Sequence, residues 1–115
     1  MVGNQVLQAT AKIARGCLRA IDVIARYGGE EFVILLPETR LEDAMQVAER
    51  IRQDVEETYV LTRYGRLSIT VSIGVAEMAG EHASLMVVID KASQAEPGAK
   101  EEGRNRVCAY ASTAP

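Results

Sequence analysis

The 115 residues carry a formal charge of -3, a pI near 5.2 and 48% hydrophobic against 25% charged residues, the composition of one ordinary globular domain with its own core. That acidic balance argues against a broad nucleic-acid-binding surface, while local Arg and Lys side chains stay available to a small anionic ligand. No apolar run is long enough to span a membrane, and Met1-Val2-Gly3-Asn4 lacks the basic start and apolar core of a signal peptide, so the expectation is a cytoplasmic domain without membrane insertion.

From Gln5 to Leu18 the residues Val6, Leu7, Ala11, Ile13, Ala14, Cys17 and Leu18 recur at three- and four-residue intervals, the spacing of one helical face, with Asn4 as its expected cap. Val23–Tyr27 and Glu31–Leu36 are β-rich runs flanking Gly28-Gly29, which reads as a hairpin, and Pro37 ends its second strand. Leu41 to Glu57 places Leu41, Ala44, Met45, Val47, Ala48, Ile51 and Val55 on one side and charged residues on the other, an amphipathic helix with Thr39 in its cap region. Leu67 to Ala76 alternates with period two and is expected as one strand, Tyr59–Thr62 pairing beside it across Gly65. A helix over Leu85–Ala95 would end at Pro97-Gly98, and a last strand runs from Arg104 to Tyr110. Helix, hairpin, helix, strand, helix, strand describes an α+β sandwich with helices covering a mostly antiparallel sheet.

Cys17 and Cys108 lie far apart with no CxxC spacing and read as buried thiols, not as a metal or disulfide framework. Met45, Met78, Met86, Tyr59 and Tyr64 fall on apolar positions and are expected as core filler. His82, in the polar turn Gly80-Glu81-His82, reads as a solvent-exposed loop residue.

Chemistry concentrates in Arg26-Tyr27-Gly28-Gly29-Glu30-Glu31-Phe32. Two glycines at a hairpin tip let backbone approach a ligand while two carboxylates project beside it. Such a tip suits a metal-bound nucleotide: magnesium is held by one or two carboxylates together with substrate phosphates, so Glu30 is a reasonable ligand but an incomplete site by itself. The alternative is a Gly-Gly hairpin with surface acids.

That string resembles the GGEEF variant of the GGDEF signature, and four more motifs stand in register with it. Arg19-Ala20-Ile21-Asp22 resembles the family's RxxD inhibitory motif, Gly3-Asn4-Gln5-Val6-Leu7 the end of its GHxxGDxxL helix entry, Ser72-Ile73-Gly74-Val75-Ala76 its SIGVA strand, and Ala99-Lys100-Glu101-Glu102-Gly103-Arg104-Asn105-Arg106-Val107 its AKxxGRNRV segment. The resemblance implies a palm-like α+β fold related to nucleotide cyclases and polymerases, in which two facing subunits each hold one GTP. The 3′-hydroxyl of each GTP attacks the α-phosphate of the other, with magnesium or manganese aligning phosphates, to make cyclic di-GMP. It further implies that Glu30 ligates metal and helps activate the hydroxyl, that Gly28 and Gly29 approach the phosphates with Glu31 in support, and that Lys100 and Arg104 hold the terminal phosphates. Arg19 and Asp22 would bind product, a guanidinium stacking on or bonding to guanine and a carboxylate accepting guanine N–H groups. The alternative for that pair is a helix-end Arg with an Asp capping the turn before the strand.

Three departures from the family pattern stand in the sequence. The family's first strand, with the Asp that completes the metal site and the residues that handle phosphate and guanine, is not among the 115 residues, so one sheet edge is expected to lie open. Asn4 replaces the guanine-contacting Asp, and a neutral amide cannot accept two guanine N–H bonds as a carboxylate does. Ser93, Glu96 and Pro97 replace Asp, Leu and Tyr of the family's ADxALYxAK helix, and the proline is expected to shorten or kink it. Little or no cyclase activity is therefore expected of this polypeptide alone. A catalytically silent cyclic di-GMP-binding module through Arg19 and Asp22 is one alternative; a structural remnant that dimerises by edge pairing or strand exchange is another.

Overall fold

The computed structural model describes residues 2–26, 31–71, 73–77, 89, 90, 92 and 107–109, of which 2–4, 108 and 109 are described by backbone alone. Helix α1 spans Val2–Gly16; Asn4 therefore lies inside the first turn and is not the cap, and the helix ends two residues before Leu18, where the Cys17 and Leu18 amides close onto Ala14 and Arg15 carbonyls at 2.9 and 3.1 Å. Strands β1 (Val23–Arg26) and β2 (Phe32–Leu35) form the expected antiparallel hairpin in the register Val23↔Leu35 to Arg26↔Phe32.

Helix α2 covers Leu41–Glu57, the span its apolar periodicity predicts, with Ala48, Ile51 and Val55 buried. Its cap differs from expectation. Arg40 occupies the N-cap without a side-chain bond, the Thr39 hydroxyl instead donates to the Pro37 carbonyl at 2.9 Å, and Glu77 reaches back to accept from the Leu41 amide at 2.7 Å. A carboxylate there meets an orphan N–H at the positive end of the helix dipole, so the distant residue does the work of a local cap.

The single strand expected over Leu67–Ala76 is two. β3 (Tyr59–Thr62) pairs antiparallel with β4 (Gly65–Ser68), while β5 (Ile73–Val75) pairs in parallel with β6 (Val107–Ala109). Gly65, at φ +110°, starts β4 in a conformation that L side chains rarely adopt. The helix expected over Leu85–Ala95 falls mostly outside the described residues.

The core gathers where α1 and α2 meet. Ala14, Ile51 and Val55 are packed by Ile13, Leu18, Ile24, Ile34, Val47, Ile69, Val71 and Ile73, so both helices, the β1–β2 hairpin and the segment before β5 share one apolar centre. Tyr59 and Tyr64 do not join it: they are 61% and 77% exposed, because Val60, one residue along β3, takes the buried face and period two sends Tyr59 outward. Cys17 is half-buried and packs against that centre from its edge.

Candidate ligand-binding site

Between the end of α1 and β1 the chain makes a tight turn over Arg19–Asp22. The Asp22 amide donates to the Arg19 carbonyl at 3.0 Å, and the Asp22 carboxylate accepts from the Arg19 amide at 2.7 Å, closing the turn from both sides. The same carboxylate takes the Arg19 guanidinium in a fork, Nε at 3.2 Å and Nη2 at 2.9 Å. Charge-assisted, two-pronged pairing of this kind fixes orientation as well as energy.

The two partners differ in exposure, which decides what each is free to do. Asp22 is only 3% exposed, while the Arg19 side chain is 53% exposed. The Arg19 guanidinium beside Asp22 holds its carboxyl below the usual carboxylate range, against the upward push of burial, and Arg19 itself is held more firmly protonated by the same bond. Nη2 continues to the Pro37 carbonyl at 2.9 Å and the Thr39 hydroxyl at 3.0 Å, tying the turn to the loop ahead of α2. In that loop Glu38 holds a positive φ of 53°, uncommon for a residue with a side chain. Nη1 has no partner among the described residues.

Two further anchors were not anticipated from sequence. Arg15, in the last turn of α1, donates from Nη1 to the Asp22 carbonyl at 2.7 Å, a contact across seven residues that no helical spacing marks in the sequence. Cys17 donates its thiol to Asp54 of α2 at 3.2 Å. Burial and that carboxylate push the Cys17 thiol up from 9.0 to about 11, which makes it a poor nucleophile.

The remaining expected site residues are only partly described. Glu31 is exposed immediately before β2, and Arg26↔Phe32 is the last pair of the ladder among the described residues. Gly28, Gly29 and Glu30 belong to the connection between β1 and β2, and with Lys100, Arg104 and the Asn4 side chain they lie outside the described residues. So do Met78, His82 and Met86, while Met45 is half-buried on α2. Among the described residues no three His, Cys, Asp or Glu side chains converge as a metal site, and no helix is long and apolar enough to cross a membrane.

Helices over open pairs of strands, with a tight Arg-x-x-Asp turn after the first helix and a Gly-Gly-Glu-Glu connection in the first hairpin, define a palm-like α+β domain. The chain belongs to the GGDEF family: the model of the diguanylate cyclase GGDEF domain matches residues 1–106. Diguanylate cyclase A of Treponema denticola is 42% identical over 105 residues, covering 91% of this chain and 28% of that protein. The active GGEEF domain of a diguanylate cyclase from Vibrio cholerae superposes with a TM-score of 0.85 at 31% identity, over 96% of this chain and 69% of that one. The GGDEF domain of DgcB from Caulobacter crescentus, solved in complex with c-di-GMP, gives a TM-score of 0.87 at 32% identity, over 96% and 66%. The chain thus spans less than a third of the length of its curated relative.

Proposed function

We propose that this domain serves cyclic di-GMP signalling in the cytoplasm and binds the product dinucleotide through Arg19. The observation that carries the reading is a half-exposed guanidinium held in place by a buried carboxylate, with Nη1 unpartnered among the described residues. A guanidinium already oriented by a fork loses little further freedom when a phosphate or guanine edge arrives. Asp22 is spent on the Arg19 amide and fork, so its role here is to position Arg19.

The chemistry of the family joins two GTP molecules. The 3′-oxygen of one forms a bond to the α-phosphorus of the other as pyrophosphate leaves, and the reciprocal step closes the ring. Two facing copies would each supply one GTP. Glu30, a hard oxygen donor, suits magnesium or manganese, which when bound aligns phosphates and offsets developing charge. Glu30 would also help draw the proton from the attacking hydroxyl, Gly28 and Gly29 would let backbone approach the phosphates with Glu31 beside them, and Lys100 and Arg104 would hold the terminal phosphates. Asn4, at the guanine-contacting position, offers one acceptor oxygen where a carboxylate offers two, and Pro97, a residue type unfavourable inside a helix, stands where the family's helix ahead of Lys100 carries Tyr. For these reasons the 115-residue polypeptide is expected to turn over little GTP alone.

Calorimetric titration separates the two sites. Cyclic di-GMP should bind the wild-type chain, with Arg19→Ala weakening it at least about tenfold, the loss of one charge-assisted contact. Unchanged affinity in Arg19→Ala, or no binding to the wild type, overturns the product-site reading. Magnesium-dependent GTP binding that disappears in Glu30→Ala would support the substrate half-site, and measurable cyclic di-GMP synthesis by the pure chain would refute the expected silence.

A further inference from the structure

The β3–β4 hairpin stands apart from the product site and from the signature connection. Its register sets Tyr59 opposite Ser68 and Leu61 opposite Arg66, and with Val60 buried on the inner face alternation turns Tyr59, Leu61 and Arg66 outward together. Leu61 is 76% exposed, and Tyr64, in the turn that joins the two strands, is 77% exposed. Arg63 lies over the Tyr64 ring at 5.2 Å and Arg66 over the Tyr59 ring at 5.6 Å, so both cations are held against aromatic faces. No acidic residue occurs between Glu57 and Glu77. A chain of net charge -3 therefore concentrates two arginines, two tyrosines and the exposed Leu61 on one hairpin free of acidic residues.

We infer that this face of the hairpin docks an acidic, amphipathic segment of a partner protein, its carboxylates meeting Arg63 and Arg66 and its apolar side chains covering Tyr59, Leu61 and Tyr64. Tyrosine and arginine concentrate binding energy in protein interfaces, and rings that already hold the guanidinium groups have less freedom to lose on docking. Charge complementarity selects the occupant. A second copy meeting hairpin to hairpin would set arginine against arginine. An anionic bilayer is held by clusters of about four to eight cations, and this hairpin offers two.

Amide NMR signals of the full chain are followed during titration with two synthetic helical peptides, one of Leu, Ala and Glu and the other with Lys at every Glu position. The acidic peptide should shift signals from residues 59–66 and the lysine peptide should not. Joint Arg63→Glu and Arg66→Glu substitution should weaken the acidic peptide at least about tenfold, whereas Arg66→Lys should retain most of the affinity. Peptides that bind alike, shifts confined to other residues, or Leu61→Ser and Tyr64→Ser chains with undiminished affinity would overturn the inference. So would hairpin-dependent sedimentation with vesicles of equal phosphatidylcholine and phosphatidylglycerol in the absence of peptide binding, or self-association abolished by Tyr64→Ser. Circular dichroism unchanged from wild type establishes that each variant is folded.

Discussion

The Arg19–Asp22 turn and the β3–β4 hairpin both present arginine to solvent, yet they hold it in opposite ways. In the turn a buried carboxylate closes on Arg19 through amide and guanidinium, and the loop at Pro37 and Thr39 receives the other side. In the hairpin Arg63 and Arg66 rest on exposed rings, with no ion pair among the described residues. The first arrangement couples ligand binding to stability, because the group that aims the arginine also closes the backbone. The second separates the two, since its side chains can change without disturbing anything the core depends on.

Removing the carboxylate should produce the largest effect. Asp22→Ala strips the Arg19 amide of its acceptor and the guanidinium of its fork, so a loss of about 2 kcal/mol is expected by chemical denaturation, in the range for charge-assisted bonds. Product affinity should fall with it, because Arg19 is no longer aimed. The wild type should show the same dependence in acid. Asp22 titrates below its ordinary value in the folded chain, so its contribution is complete above the ordinary aspartate pKa near 4 and declines as pH falls through the lower folded value. Asp22→Asn should flatten that part of the profile; an unchanged acid slope would mean that the pair contributes nothing to folding.

Cys17, at the opening of the same turn, works in the other pH direction and more weakly. Its thiol is raised from 9.0 to about 11 by burial and Asp54, so the folded chain keeps a proton that the unfolded chain releases. The stability this adds is present below pH 9.0 and is lost as pH rises towards about 11. Cys17→Ser keeps a donor to Asp54 without titrating in that range. Its stability should decline less than that of the wild type across that window, and identical alkaline slopes would mean that the Cys17–Asp54 bond adds nothing to folding.

How much of the two regions could be read from sequence follows from the range of the interactions involved. Helix α2 and the β1–β2 hairpin were legible because their periodicity is local and long enough to repeat. The stretch from Leu67 to Ala76 misled for a physical reason: Ile69, Val71 and Ile73 do alternate onto the core, but alternation reports burial of a face and not the identity of the pairing partner, which changes between β4 and β5. The exposed Tyr59 and Tyr64 came from weighing residue type above register; Val60 and Leu61 on the same strand carried the correct phase. Arg19 and Asp22 were found as a motif, whereas the Pro37 and Thr39 contacts close over 18 and 20 residues and Glu77 reaches Leu41 across 36. No local pattern encodes such meetings.

The smallest expected effect is the sharpest test of the contrast. Leu61→Ser removes the most exposed aliphatic side chain among the described residues from an outward strand face, and it is not among the residues of the core cluster. Water already solvates most of that side chain in the folded state, so little transfer free energy is lost, and a change within about 0.5 kcal/mol is expected. Thermal unfolding should therefore be nearly superimposable with wild type, while affinity for the acidic peptide falls. A loss comparable to that of Asp22→Ala would mean that Leu61 is packed against part of the fold in solution, and the hairpin would then be a structural element whose apolar face is already covered.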